Sequence, residues 1–195
     1  MCGRYYIAPP TDNDLLEALL STLARRGGDR PKLGEVFPGD KAAVIANNKK
    51  LVSTPFVMRW GFRVDKKLII NARWETAHLK PLFRDSLSFR RCAIPATSYF
   101  EWTMQGEKAK YAISVDEVPL LYLAGLYRPE AEDPAFTVLT KDAAPQISFI
   151  HPRMPILLLP DQVPQWLSPE GDFRALAENS LPLKWHLLDD SAKQP

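Results

Sequence analysis

Most of the chain consists of short runs of β-forming residues closed by glycine, proline or asparagine, and this pattern limits the folds that it can adopt. Residues 42–46, 56–62 and 110–115 are such runs, and the last one alternates polar and apolar side chains. Short strands separated by tight turns favour antiparallel pairing. With a few short helices beside them, they predict an α+β fold with a central antiparallel, barrel-like sheet.

The remaining elements follow from the same periodicities. Leucines at helical spacing predict a helix over 15–23, capped by Thr11 or Asp12 and ended by Gly27. Further strands are predicted at 5–7, 51–52, 68–70, 92–95, 99–102, 120–127, 136–140, 156–159 and 183–188, and further helices at 74–78, 161–167 and 172–179. Strands between 110 and 140 are expected to pair in succession. We expect one domain over 1–195 with a frayed tail at 191–195.

The composition excludes several classes of protein. Cys2 and Cys92 are the only two cysteines, and with three histidines they are too few for a disulfide framework or a structural zinc site. The longest apolar run, 154–159, is far short of the ~20 residues that span a bilayer. We therefore expect a cytoplasmic monomer without metal or cofactor, in which Cys92 is a buried structural thiol.

Charge is unevenly distributed along the chain. Residues 57–91 contain nine Lys or Arg against three Asp or Glu, whereas residues 161–195 contain three against six. A basic face of this kind suits phosphate groups, although an ordinary solvated surface produces the same pattern. Charge alone does not separate these two interpretations.

Cys2 follows the initiator methionine, so removal of Met1 makes it the N-terminal residue. A terminal cysteine carries a thiol and an α-amine on adjacent carbons, with ordinary pKa values of about 8.5 and about 7.8. The amine attacks an aldehyde to form a Schiff base, and the thiol then closes on the same carbon to give a five-membered thiazolidine. A frayed, unreactive chain end is the competing interpretation.

Three other polar residues attract attention. Glu101 lies between Phe100 and Trp102, where an inward orientation would suit a general acid or base and an exposed orientation would be ordinary. Asn71 follows a predicted strand. His151 lies beside a proline, a setting more typical of a structural hydrogen bond than of catalysis.

Five segments in fixed order carry a family resemblance: Met1-Cys2-Gly3-Arg4, Trp60-Gly61, Asn71-Ala72-Arg73, Phe100-Glu101-Trp102 and His151-Pro152-Arg153-Met154-Pro155. Together they resemble the SOS response-associated peptidase (SRAP) family, the abasic-site processing proteins, over nearly the whole chain. The resemblance implies a barrel-like antiparallel sheet and an active site in a basic channel that holds single-stranded DNA. It also implies the aldehyde, which is the open-ring sugar of an abasic site.

The resemblance assigns the chemistry to four residues. Cys2 forms the thiazolidine link, and Asn71 hydrogen-bonds the terminal amine and the sugar. Glu101 moves protons during imine formation and ring closure, and His151 assists sugar-ring opening and the Schiff-base steps. Removal of Met1, by the site itself or by an aminopeptidase, explains the word peptidase, and β-elimination from the Schiff base would add a lyase activity.

The resemblance also assigns the DNA contacts. Arg4 and Arg73 clamp phosphates beside the lesion, and Arg153 contacts the DNA. Trp60 and Trp102 stack on bases or wedge between them, or they are ordinary core residues.

Two positions depart from the family pattern. Glu35 stands where the family commonly has an asparagine, and its negative charge argues against a DNA contact there. Ser98 stands where a glycine often precedes the aromatic-Glu-Trp segment, which requires a backbone conformation open to residues other than glycine.

Two other functions fit part of the pattern. A cysteine peptidase or amidase would use Cys2, His151 and Glu101 on peptide substrates. A non-covalent module for single-stranded DNA would need only the arginines and tryptophans, and its binding would be sensitive to salt. Abasic-site crosslinking is the leading hypothesis, because it alone uses a terminal cysteine, a basic face and acid–base groups together.

Overall fold

The computed structural model describes residues 2–10 and 13–188, and strands are its main elements. The strands are β1 (Tyr5–Ile7), β2 (Gly34–Val36), β3 (Lys41–Asn47), β4 (Ser53–Trp60), β5 (Phe62–Val64), β6 (Lys67–Ile69), β7 (Asn71–Arg73), β8 (Arg91–Ala96), β9 (Ser98–Trp102), β10 (Lys110–Val115), β11 (Leu121–Arg128), β12 (Ala135–Asp142), β13 (Arg153–Pro155), β14 (Leu157–Leu158) and β15 (Leu183–Leu188). The helices are α1 (Asp14–Arg26), α2 (Trp74–Ala77), α3 (Pro81–Phe89), α4 (Val163–Leu167) and α5 (Phe173–Glu178), with 3₁₀ turns at Pro145–Ile147 and Pro160–Gln162. The predicted α+β class is confirmed.

Two large sheets organise the strands. The first has the order β15-β10-β9-β1-β2, and all its neighbours are antiparallel. The second has the order β13-β12-β4-β3-β8-β11-β14, with β7 also beside β12. Because β11 pairs with β12 as well, the strands β12, β4, β3, β8 and β11 close into a twisted ring.

This ring agrees with the predicted barrel-like sheet, but it is not wholly antiparallel. Strands β4 and β7 run parallel to β12. Of the strands between 110 and 140, β11 and β12 pair in succession as predicted, whereas β10 pairs with β9 and β15 in the first sheet. Alternation along a strand reports which of its faces is buried, but it does not report which strand lies beside it.

Large aromatic side chains fill the space between the two sheets. Tyr5 packs on Trp60 with ring centroids 5.3 Å apart, and Trp60 stacks on Phe136 at 6.2 Å. Trp60 is fully buried, and its indole N–H donates to the carbonyl of Ile70 at 3.1 Å. The expectation that Trp60 contacts bases is therefore wrong, and its alternative interpretation as a core residue is confirmed.

The first helix forms as its leucine spacing predicts. Leu16, Leu19 and Leu23 are buried on one face of α1. The helix is capped by Asn13, whose side-chain oxygen accepts a hydrogen bond from the backbone N–H of Leu16 at 3.1 Å. The predicted caps Thr11 and Asp12 lie outside the described residues, as does the predicted tail.

Two local predictions were wrong or incomplete. Residues 51–52 lie in a turn and not in a strand, because the side chain of Asn48 accepts hydrogen bonds from the backbone N–H groups of Lys50 and Val52. Leu51 adopts a φ of 59°, which a strand does not allow. Helix α3 was not predicted, although Pro81 at its start is a common first residue of a helix.

We predict that Gly125→Ala destabilises the strand ring by about 3 kcal/mol, since extra atoms in a packed core force backbone shifts. Gly125 lies in β11 between β8 and β12, and an added Cβ would be 2.5 Å from Ile94 Cδ1 and 2.9 Å from the carbonyl oxygen of Thr137. It would also be 3.1 Å from the sulfur of Cys92, which is fully buried as predicted. Urea unfolding measures the decrease in the free energy of unfolding.

Gly106→Ala is the control. Gly106 has no atom near the position of an added Cβ, so only its φ of 73° opposes the change, which costs about 1 kcal/mol. Equal losses in the two variants would contradict the tight packing of the ring at Gly125.

Candidate active site

The N-terminal segment is fixed to the first sheet. Tyr5 pairs with Tyr99 of β9 on one side and with Val36 of β2 on the other. The ladder continues one residue further, because the backbone N–H of Phe100 donates to the carbonyl of Arg4 at 2.9 Å. Cys2 is fully buried beyond this point. The prediction that a strand at 5–7 anchors the N-terminus is confirmed; Met1 itself lies outside the described residues.

A hydrogen bond joins Cys2 to the second sheet. The side-chain amide of Asn71, in β7, donates to the carbonyl of Cys2 at 2.8 Å. The other side-chain atom of Asn71, Oδ1, is buried and accepts no hydrogen bond from the residues that the structure describes. An acceptor in this position suits a donor that arrives with a substrate or is created at the chain terminus.

Glu101 faces inward. It lies in β9 opposite Tyr111 of β10, and only 5% of its surface is exposed. Of the two orientations that the sequence left open, the buried one is therefore observed. Its carboxylate accepts a long hydrogen bond from the backbone N–H of Trp102, at 3.4 Å. A buried carboxylate beside a thiol is able to accept or return a proton.

The environment of Cys2 keeps its thiol protonated. Burial first, and the negative charge of Glu101 second, raise the pKa of the Cys2 thiol to about 12. At neutral pH a thiol with this pKa is almost entirely in its weakly nucleophilic form. The sulfur therefore needs a group that takes its proton as it reacts, and Glu101 is the charged group beside it.

Two tyrosines that the sequence did not single out also border the site. Burial raises the pKa of both Tyr5 and Tyr99, and negative charge at Cys2 raises each of them further. The hydroxyl of Tyr99 is buried without a hydrogen-bond partner among the described residues. Strand alternation supplied a signal, since Tyr99 lies two residues from Glu101 and so on the same face of β9.

His151 lies on a short loop that ion pairs hold in place. Its Nδ1 lies 2.9 Å from the backbone nitrogen of Arg153 and 3.1 Å from the carbonyl oxygen of the same residue, so the backbone of Arg153 holds the imidazole ring in place. The guanidinium of Arg153 binds both carboxylate oxygens of Glu75, at 2.7 and 2.9 Å, and Asp142 at 2.6 Å. Without DNA, the Arg153 guanidinium therefore binds these carboxylates, which orient the His151 loop, and its DNA contact stays a prediction.

The remaining predicted DNA contacts lie around the site. Arg73 is exposed at the end of β7, two residues from Asn71 and on the same face of that strand. Trp102 is half-buried, with the guanidinium of Arg4 5.0 Å from its ring centroid. Arg4 also donates a hydrogen bond to Glu35 at 3.2 Å. These three side chains are available at the surface, unlike Trp60.

Not all nine Lys and Arg side chains of residues 57–91 lie on the surface. Arg59 is buried and forms an ion pair with Glu130. Arg91 is buried too, and donates to backbone carbonyls that include those of Trp166 and Ser168, both at 2.7 Å. Two of the nine cations therefore stabilise the fold, which reduces the charge of the predicted basic face.

Within residues 2–10 and 13–188, no three His, Cys, Asp or Glu side chains are arranged to hold a metal ion. In the same part of the chain, no helix has the length and apolar character needed to cross a membrane.

Ser98, the second departure from the family pattern, lies in β9 with ordinary extended backbone and pairs with Tyr6.

Sequence comparisons identify related proteins. A family model described as SOS response associated peptidase (SRAP) matches residues 1–188. The chain is 30% identical over 188 residues to the abasic site processing protein YoaM of Bacillus subtilis. This match covers 88% of this chain and 81% of that protein. It is 29% identical over 181 residues to the abasic site processing protein YedK of Escherichia coli. This match covers 87% of this chain and 81% of that protein.

Crystal structures of two other proteins share the fold. One, from Bacteroides thetaiotaomicron, superposes with a TM-score of 0.76 at 22% identity, and covers 100% of this chain and 95% of that one. The other, from Bordetella bronchiseptica, gives 0.77 at 21% identity, and covers 96% and 100%. At such identities the likeness concerns the fold alone.

We predict that Glu101→Gln lowers the pKa of the Cys2 thiol, because it removes a negative charge that opposes the thiolate. The pH dependence of alkylation by iodoacetamide, with the modified cysteine assigned by mass spectrometry, measures this pKa. Glu107→Gln, in an exposed turn, removes the same charge elsewhere and should leave the pKa unchanged. An equal pKa in wild type and Glu101→Gln would show that the carboxylate does not act on the thiol.

Proposed function

Since this chain belongs to the SOS response-associated peptidase family, we propose that it recognises abasic sites in single-stranded DNA and crosslinks to them through Cys2. The crosslink would shield the lesion as part of the DNA damage response. One observation carries the proposal: Cys2 is buried between Asn71 of one sheet and Glu101 of the other. This arrangement gives Cys2 a fixed position, with a hydrogen-bond acceptor on Asn71 and a proton-transfer group on Glu101. A frayed chain end would lack all three.

The first step is hydrolysis of the bond between Met1 and Cys2. Water adds to that peptide bond, methionine leaves, and Cys2 gains a free α-amine. The acid–base residues Glu101 and His151 are the groups that would assist if the site performs this step itself. The unoccupied Oδ1 of Asn71 would then accept a hydrogen bond from the new amine, since the amide group of Asn71 already binds the carbonyl of the same residue.

The amine then attacks the aldehyde carbon of the open abasic sugar. The carbinolamine loses one water to give the imine, with Glu101 or His151 supplying the proton that the departing oxygen needs. The Cys2 sulfur adds to the imine carbon, its proton passes through Glu101 to the ring nitrogen, and a thiazolidine results. The raised pKa of the thiol favours this order, because the amine and not the thiol is the competent first nucleophile.

Closing the ring removes the imine, and with it the intermediate from which β-elimination would cut the DNA. A lyase activity would therefore compete with the thiazolidine and increase when the sulfur is absent. Reversal of the crosslink would use Glu101 and His151 in the opposite direction. We place the protein in the cytoplasm, on nucleoid DNA, as a monomer.

The DNA would be held mainly through its backbone. Arg73, on the face of β7 that carries Asn71, is positioned to bind a phosphate next to the lesion, and Arg4 with Trp102 would contact the strand on the other side. Phosphate contacts of this kind fix the position of a strand without reading its sequence.

A cysteine peptidase acting on peptide substrates is less well supported. Such enzymes use a thiolate that is formed in advance, at a depressed pKa. Here the pKa of the Cys2 thiol is raised, and the carboxylate beside it opposes the thiolate.

Intact mass spectrometry tests the crosslink. After incubation with a single-stranded oligonucleotide that carries one abasic site, the protein without Met1 should gain the mass of the oligonucleotide less one water. Cys2→Ser keeps the amine but not the thiol, so it should stop at the imine and give a stable adduct only after borohydride reduction. A wild-type protein that has lost Met1 and forms no adduct would refute the proposal.

We predict that Asn71→Leu slows crosslinking about 10²-fold or more, as expected for loss of a group that positions the nucleophile. Asn47→Leu is the control, since Asn47 likewise donates to a backbone carbonyl, that of Leu167, but in another part of the fold. Single-turnover crosslinking on gels gives both rates. Equal rates for the two variants would remove Asn71 from the mechanism.

A further inference from the structure

A cluster of charged and aromatic residues lies on the outer face of the first sheet. In an antiparallel sheet, residues directly opposite each other point to the same side. Tyr6 is opposite Glu35, and Trp102 is opposite Lys110, whereas Glu101 is opposite Tyr111 and points the other way. The cluster and Glu101 are thus on opposite faces of the first sheet, at the same end of β9.

Glu35 is shared by two cations within this cluster. One carboxylate oxygen, Oε1, accepts a hydrogen bond from Lys110 at 2.8 Å and another from Arg4 at 3.2 Å. Both cations also lie over the ring of Trp102, with centroid distances of 5.6 Å for Lys110 and 5.0 Å for Arg4. The carboxylate oxygen therefore occupies the point on which both donors converge.

This arrangement resembles a phosphate site that contains a substitute anion. A phosphate oxygen and a carboxylate oxygen carry similar charge and accept the same charge-assisted hydrogen bonds from Arg and Lys. The side chains of Arg4 and Glu35 are about one-third exposed, at 32% and 31%, so the site opens to solvent. Arg4 lies two residues from Cys2, and Trp102 follows Glu101, so the cluster lies next to the Cys2 site along both strands.

Glu35 is ionised at neutral pH. Burial raises the pKa of its carboxyl, but the hydrogen bonds and charges of Lys110 and Arg4 more than offset that effect and hold the pKa below its ordinary value. The carboxylate is therefore a permanent counter-ion, and moderate changes of pH do not release the two cations.

We propose that Arg4 and Lys110 form a binding site for one DNA phosphate, and that the Glu35 carboxylate occupies this site until DNA displaces it. The proposal rests on the proposed function, because the phosphate belongs to the strand that carries the lesion. Lys110 becomes a DNA contact that the sequence did not suggest, and Glu35 limits affinity for intact strands. Its negative charge, unexpected at a DNA surface, then has a function: it weakens binding that is driven by the backbone alone.

Binding of a fluorescein-labelled oligothymidine without an abasic site tests this proposal, since no aldehyde is present and binding is reversible. Anisotropy titrations over a series of salt concentrations give the affinity and its salt dependence. Glu35→Gln should bind about tenfold more tightly at low salt, and the slope of log K against log salt should steepen by about one, because the variant lacks the one negative charge that competes with the phosphate.

The matched control is Asp116→Asn. Asp116 pairs with Lys184 at 3.1 Å, just beyond the other end of β10 and about 20 Å from Lys110 at the usual rise per residue. This variant changes net charge equally but should bind like wild type within about twofold. Combining Glu35→Gln with Lys110→Gln should abolish most of the gain.

Equal affinities for Glu35→Gln and Asp116→Asn would overturn the proposal, and so would weaker binding by Glu35→Gln. If Glu35→Gln does not fold, as judged by thermal unfolding, Lys110→Gln alone decides: it should weaken binding, and unchanged binding would overturn the proposal. Crosslinking to an abasic oligonucleotide is scored separately. Wild type that crosslinks, with no effect of Glu35→Gln on binding, would leave the proposed function intact and remove only this inference.

Discussion

The hydrogen bond from the Asn71 side chain to the Cys2 carbonyl is the contact on which the site depends. Strand β1 carries the N-terminal segment into the first sheet, and Asn71 belongs to the second, so this bond connects the chain terminus to both layers. A residue held in this way loses the mobility usual for chain ends. Its amine, once free, would be oriented before any substrate arrives, and that orientation is the larger part of the rate advantage of an intramolecular site.

Electrostatics divides the region into two parts on opposite faces of one sheet. On the inner face, burial and Glu101 raise the pKa of the Cys2 thiol, so in the proposed mechanism the amine attacks first and the sulfur closes the ring. On the outer face, Glu35 forms ion pairs with both Arg4 and Lys110. In the proposed function, the first arrangement would control the order of bond formation, and the second would limit how strongly the backbone of undamaged DNA is held.

The sequence predicted elements well where periodicity is local, as in α1, β10 and β15. It did not predict which strands pair, because register and neighbours depend on contacts between distant parts of the chain; the separation of β10 from β11 is an example. At the site, the residue types that are rare in strands, Asn71 and Glu101, were identified. The sequence left Trp60 open between a base contact and a core position, because its burial depends on the distant residues Tyr5 and Phe136. Lys110 was overlooked because only the fold brings it to Glu35.

The central claim is that nitrogen and sulfur of Cys2 bond to the same sugar carbon. Nuclear magnetic resonance of the adduct between ¹⁵N-labelled protein and an oligonucleotide with ¹³C at the aldehyde carbon of the abasic site tests it most directly. We expect a single saturated carbon signal that is coupled to ¹⁵N and disappears in Cys2→Ser in favour of an imine. An unsaturated imine carbon in the wild type, or a saturated carbon without coupling to nitrogen, would contradict the account.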